Sequence, residues 1–210
     1  MNGEMIGEFV LWMVALVFSL SLHEFGHAWT SNYFGDDLAR SQGRVSLSPV
    51  THVDPIGTLL FPALAFFTGA PLLGWARPVP VNPARWENYR VANFWVSSAG
   101  IILNLALAVI AGIGFRLFYE PGDSTSAIIS FLWIMFNLNI GLAVFNLLPF
   151  PPLDGSKIAR SFLPDSMIPA LDAVEQYGFV LLWIGVITGA FRPIFGFVRS
   201  VSQGLLMIGT

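Results

Sequence analysis

The chain has 210 residues, a net charge of -3, and only 11% charged residues against 55% apolar ones. Soluble domains carry about 25% charged residues, so an ordinary water-facing surface is excluded and lipid becomes the expected solvent, in line with a mean hydropathy of +0.68. No two basic residues are adjacent, which removes the footprint of a nucleic-acid binder, and the absence of cysteine removes disulfides, thiolate metal sites and cysteine nucleophiles.

The opening MNGEMIGE has neither the basic region nor the small-residue cleavage site of a signal peptide, so the first apolar stretch is expected to be retained. That stretch covers residues 9–34. Its first half, 9–22, is free of charge, and its second half holds His23, Glu24 and His27. The linker after it alternates at Arg44-Val45-Ser46-Leu47-Ser48 and then meets Pro49, which predicts a short strand near the membrane surface.

A second apolar stretch, 56–75, is interrupted by Pro62, Gly69 and Pro71. A third covers 91–118, a fourth 127–148, and a fifth 177–190. A last and weaker piece, 194–208, carries Arg199. The expected fold is an all-α polytopic membrane protein. It is one domain over 1–210, a bundle of five to six transmembrane or re-entrant helices with a small membrane-proximal β element.

Arg and Lys favour the cytoplasmic side. They occur at Arg40 and Arg44, at Arg77, Arg85 and Arg90, and at Lys157 and Arg160, but not in the N-terminal tail or the 119–126 turn. The tail and that turn are therefore expected outside, and the other three segments inside. Both ends of 56–75 then fall on one side, which a simple span cannot do. A re-entrant hairpin is expected there, buried in protein or against a wet cavity.

The sequence His23-Glu24-Phe25-Gly26-His27 lies within a helical apolar stretch. Residues four apart share a helix face, so both imidazoles reach one metal ion, with Glu24 beside them to hold a water as general base. Burying such groups in a spanning helix is costly, by about 2.5–3.5 kcal/mol for a charged group on insertion scales, and a bound metal offsets that cost. A catalytic zinc takes a third protein ligand. The candidates are His52, the one other histidine, and Asp154, which follows the proline-rich 149–152. By position alone Asp154 could equally form a turn or cap the segment after it.

His23-Glu24-Phe25-Gly26-His27, taken with Asn146-Leu147-Leu148-Pro149 and Pro152-Leu153-Asp154-Gly155, resembles the site-2 protease family of intramembrane zinc metalloproteases. The resemblance runs from about Ser19 to Ile158 and points to the compact prokaryotic branch without a PDZ domain. It implies one zinc ion held by His23, His27 and Asp154, with Glu24 as general base and acid acting on a zinc-bound water. It also implies peptide-bond hydrolysis in or near the transmembrane segments of membrane-protein substrates.

The family's Gly-Pro-x-x-Asn appears here as Gly100-Ile101-Ile102-Leu103-Asn104, without the proline. Asn104, Asn146 and His52 are candidate substrate or oxyanion groups. The protein is expected in the cell membrane as a multi-pass chain with its active site toward the cytoplasmic side. Its partners are the lipid bilayer and a transmembrane substrate, with no nucleic acid. The rival reading is a non-enzymatic membrane zinc-binding protein or transporter, which would give Glu24 no special task.

Overall fold

The computed structural model describes residues 3–69, 74–119 and 126–207, with Leu205 as backbone only. Pro71 and the middle of the 119–126 turn lie outside the described residues. Among the described residues, four helices are long and apolar enough to cross a membrane. The first is α1 (Gly3–Tyr33), 31 residues long, or about 46 Å at 1.5 Å per residue. After the four-residue α2 (Leu38–Ser41) and a short apolar α3 (Phe61–Thr68) come the long α4 (Tyr89–Phe118) and α5 (Ala127–Leu147). The short α6 (Asp154–Arg160) precedes α7 (Ile168–Ile187) and α8 (Arg192–Met207).

The core is the triple packing of α1, α4 and α5. Small residues let these helices approach closely: Ala15 of α1 and Ala108 and Ala111 of α4 are buried beside Phe115, Met135 and Phe136. In lipid, close van der Waals contact and polar pairing replace the hydrophobic drive to associate. α8 adds to this core through Leu206, while Arg116 near the end of α4 donates to the Leu206 carbonyl at 3.3 Å.

The 56–75 stretch doubles back. Asp54 accepts from the backbone N–H of Ile56 and Gly57 and so starts a π-helical turn, Pro55–Leu60, that runs on into α3. α3 ends at Gly69, whose φ of +68° is the left-handed conformation that stops a helix. The chain then lies beside its own beginning. Trp75 N–H donates to the Gly57 carbonyl at 3.2 Å, and Thr58 Oγ1 donates to the Trp75 carbonyl at 2.8 Å. The helical part, Pro55–Thr68, is only 14 residues by its bounds, about 21 Å against a hydrocarbon core of about 30 Å.

Among the described residues there is no strand, which corrects the β element expected at Arg44–Ser48. That segment has no regular structure, with a bend at Val45, and its polar groups are engaged otherwise. Ser46 O accepts from His52 Nε2 at 2.8 Å, and the Arg44 guanidinium donates to the carbonyls of Arg77 and Pro78 at 2.6 and 3.2 Å. The facing segment carries Pro78, Pro80 and Pro83, which have no N–H for a ladder. The helix that holds the expected fifth stretch starts earlier, at Ile168, and its polar first half carries Asp172 and Glu175, which ion-pair with Arg160.

One buried carboxylate ties the end of α1 to the loop before α4. Asp36 is fully buried and accepts from Ser31 Oγ, Leu38 N–H and Asn82 N–H at 3.0, 3.1 and 2.7 Å. Trp86 Nε1 donates to the same Ser31 hydroxyl. Asp36→Ala strands three donors in the interior and should destabilise the fold by about 2–4 kcal/mol. A melting temperature in detergent unchanged within a degree or two would refute that hub.

Candidate metal centre

The last third of α1 carries His23 and His27 one turn apart on a single face. Their Nε2 atoms lie 3.0 Å apart. Asp154, the first residue of α6, brings Oδ2 to 3.1 Å from His23 Nε2 and 3.2 Å from His27 Nε2. His23 and Asp154 are buried and His27 is nearly so. The sequence separation of 127 residues between His27 and Asp154 is closed by the packing of α4 against both α1 and α6. Asn93 of α4 holds α6 directly, donating to the Lys157 carbonyl and to Ser161 Oγ at 2.6 and 2.8 Å.

The hydrogen bonds behind the rings decide what these three atoms offer. His27 Nδ1 faces the Val96 carbonyl at 2.7 Å and must donate to it. For His23 the assignment runs through two amides. The Met135 carbonyl fixes Asn139 Nδ2, which also donates to Ser19 Oγ, each at 2.8 Å. Asn139 Oδ1 then accepts from Asn104 Nδ2 at 2.8 Å, leaving Asn104 Oδ1 against His23 Nδ1 at 2.7 Å. Both rings therefore donate through Nδ1, so in the neutral ring the lone pair sits on Nε2. Asp154 Oδ2 is buried and without a hydrogen-bond donor.

Two imidazole nitrogens and a carboxylate oxygen thus converge, and with both rings neutral they offer three lone pairs to one point. Their spacing is close to the roughly 3.3 Å edge of a tetrahedron with vertices about 2.0 Å from its centre. A cation satisfies that arrangement, and the residues fit zinc chemically: two nitrogens and one oxygen, with room for a further ligand. The other carboxylate oxygen, Asp154 Oδ1, faces Lys157 Nζ at 3.6 Å.

Glu24 sits beside the trio and lines the same cavity of about 820 Å³. Its Oε2 accepts from Val79 N–H at 3.0 Å. Arg44, through its bonds to the Arg77 and Pro78 carbonyls, holds the segment that presents that N–H.

The family model described as "Peptidase family M50" matches residues 118–185. YwhC of Bacillus subtilis (strain 168), given provisionally by its name as a zinc metalloprotease, is 38% identical over 181 residues, covering 84% of this chain and 80% of that protein. Rip2 of Mycolicibacterium smegmatis, named in the same way, is 32% identical over 188 residues, covering 89% and 70%. This chain belongs to peptidase family M50. No solved structure matches it. With its long apolar helices, this M50 peptidase is a multi-pass membrane zinc metalloprotease of the site-2 protease family, acting on a protein substrate.

The structure of this M50 peptidase gathers His23, Glu24, His27 and Asp154 at one place, with Asn146 on the wall of the same cavity. Asn146 Nδ2 donates to the Leu142 carbonyl at 3.0 Å, which leaves its second amide hydrogen. Asn104 is not brought to the cavity wall. It is fully buried behind the His23 ring.

His52 is not brought to the cavity wall either. It is buried, braces Ser46 through Nε2, and accepts from Arg77 N–H on its own carbonyl at 2.8 Å.

Sequence reasoning missed two contributors. Asn139 is a second amide inside an apolar helix and could have been singled out on that ground. Gly100 stood in the sequence only as the glycine of the Gly-x-x-x-Asn match, with no role of its own: a Cβ there would lie 2.5–2.6 Å from the His23 ring, so only glycine lets α4 pass that close. Gly100 and Asn104, one helical turn apart, therefore serve the same histidine, one by space and one by a hydrogen bond.

Proposed function

We propose that this M50 peptidase hydrolyses peptide bonds in or near the transmembrane segments of membrane-protein substrates, inside the bilayer and toward its cytoplasmic side. The observation that carries the reading is the convergence of His23 Nε2, His27 Nε2 and Asp154 Oδ2 beside Glu24 within an apolar spanning helix. His23 lies 14 residues into the apolar run that begins at Phe9, about 21 Å along the helix. That depth leaves about 9 Å of a 30 Å hydrocarbon core beyond it. Arg40, Arg44, Arg77, Arg85, Arg90, Lys157 and Arg160 all belong to segments at this end of the bundle, which supports a cytoplasmic placement.

His23, His27 and Asp154 would hold the zinc ion, with Asn104 and the Val96 carbonyl keeping both rings oriented. Bound zinc supplies Lewis acidity toward the scissile carbonyl and makes water acidic enough to lose a proton near neutral pH. Glu24, with one carboxylate oxygen free of the Val79 N–H, would serve as the base that accepts a proton from the attacking water and passes it to the leaving amine nitrogen. The spare amide hydrogen of Asn146, on the wall of the same cavity, would serve the developing oxyanion. The apolar cavity keeps bulk water away and receives a locally unwound substrate, because a regular helix hides its peptide bonds in hydrogen bonds.

Substrate capture tests the reading. Glu24→Gln protein should accumulate uncleaved membrane proteins in a pull-down from which the wild type releases cut products. Recovery of soluble proteins alone would sink the membrane-substrate claim. The chain has no cysteine, so single cysteines at Thr51 and Asn82 report orientation directly. Both should label from the cytoplasmic face, and labelling from opposite faces would refute both that placement and the hairpin.

Asn104→Ala removes the acceptor of His23 Nδ1–H and strands Asn139. Zinc affinity, read by competition with a chelator, should fall about 10–100-fold, the usual loss when a ligand's hydrogen-bond partner is removed. An unchanged affinity would show that the buried amides do not orient the ligand.

A further inference from the structure

The cavity does not stop at the metal centre. On α1 it continues past His23 to Leu20 and Leu16, the last of these seven residues, or about 10 Å, deeper along the helix. On α5 it follows the face of Leu138, Gly141, Leu142 and Phe145. This is one stripe at helical spacing, opposite the stripe of Phe136, Asn139 and Ala143 that is buried against the core. In the middle of the cavity stripe the wall has a notch. A Cβ built on Gly141 meets no atom within 4 Å, although its neighbours along the stripe are large.

We propose that this notch is an apolar side-chain pocket of the active site, and that Gly141 sets the size of the substrate residue it accepts beside the scissile bond. The inference rests on the proteolytic reading above. A water in the notch would need two to four polar partners; beside Gly141 on this face only Asn137 is polar, and its Nδ2 already donates to the Trp133 carbonyl at 2.9 Å. An apolar side chain is what a spanning segment brings, and the notch opens into the same cavity as Glu24 and the three converging ligand atoms. A substrate strand drawn up to the metal therefore leaves one adjacent side chain pointing deeper into the bilayer, toward Gly141. Large apolar residues, Leu or Phe, fill that space. Alanine leaves a void.

The test uses the full chain in liposomes with two membrane substrates that differ in one residue, Phe or Ala, placed in turn on each side of the cut. The wild type should favour Phe at one of the two positions. Gly141→Leu should lower the ratio of kcat/KM for Phe over Ala at that position by at least about 10-fold, the scale on which a filled hydrophobic pocket discriminates. Zinc content is measured alongside. If the leucine variant loses zinc, Gly141→Ala carries the test, since its methyl meets no atom, and it should shift the ratio in the same direction.

A ratio unchanged in the variant that retains zinc overturns the pocket. That includes the outcome in which the notch simply holds a lipid chain. A wild type that cuts neither substrate fails the proteolytic reading instead, so the two failures are distinct.

Discussion

Replacing Glu24 by glutamine should lower kcat by about 10²–10⁴ while leaving zinc bound, because the amide keeps the shape but cannot take a proton. Glu24 is not among the three converging atoms, so metal content has no reason to fall. The glutamine also cannot keep both of its contacts unchanged. Either its oxygen accepts from Val79 N–H as Glu24 Oε2 does, or that N–H loses its partner. Single-turnover cleavage with zinc determined on the same sample checks the claim. Retained cleavage at full zinc content would remove Glu24 from the chemistry.

The second large effect is at Asp154. Asp154→Ala takes away the one oxygen among the converging atoms and also the partner of Lys157 Nζ. Zinc affinity should drop beyond the roughly 10–100-fold that loss of a supporting hydrogen bond produces, and activity should vanish with it. Asp154→Asn is the finer comparison. It keeps an oxygen but not the negative charge, so its affinity should lie between wild type and alanine. Equal zinc affinity in all three proteins would mean that the metal is held without Asp154.

How much of this was legible in the sequence depends on how local the cause is. The four-residue spacing of His23 and His27 fixes a shared helix face whatever the rest of the chain does, and the structure has both Nε2 atoms together. The long apolar stretches translate into spanning helices for the same reason. Asp154 was different. Proline and glycine around it fit a turn or a cap as well as a ligand, and only the family resemblance separated these readings. Its approach to His27 depends on α4 bridging α1 and α6.

The failures share that logic. Alternation at residues 44–48 signals a strand only if a partner with free N–H groups lies alongside, and the neighbouring segment is rich in proline. Asn104 stands in the sequence as a candidate substrate or oxyanion group, and only helix register shows that it faces His23 Nδ1. The service of Gly100 to the same ring is a statement about the distance between two helices, which no single segment encodes.

The central claim is tested most directly by mapping where a cut falls. Purified protein, stripped of metal and reconstituted in liposomes with a membrane-protein substrate, should be inactive until zinc is returned. Mass spectrometry of the products should then place the new termini inside or at the edge of the substrate's apolar spanning segment, with none formed by Glu24→Gln. Cleavage that persists without metal, or termini confined to a water-exposed loop far from the membrane, would contradict the account.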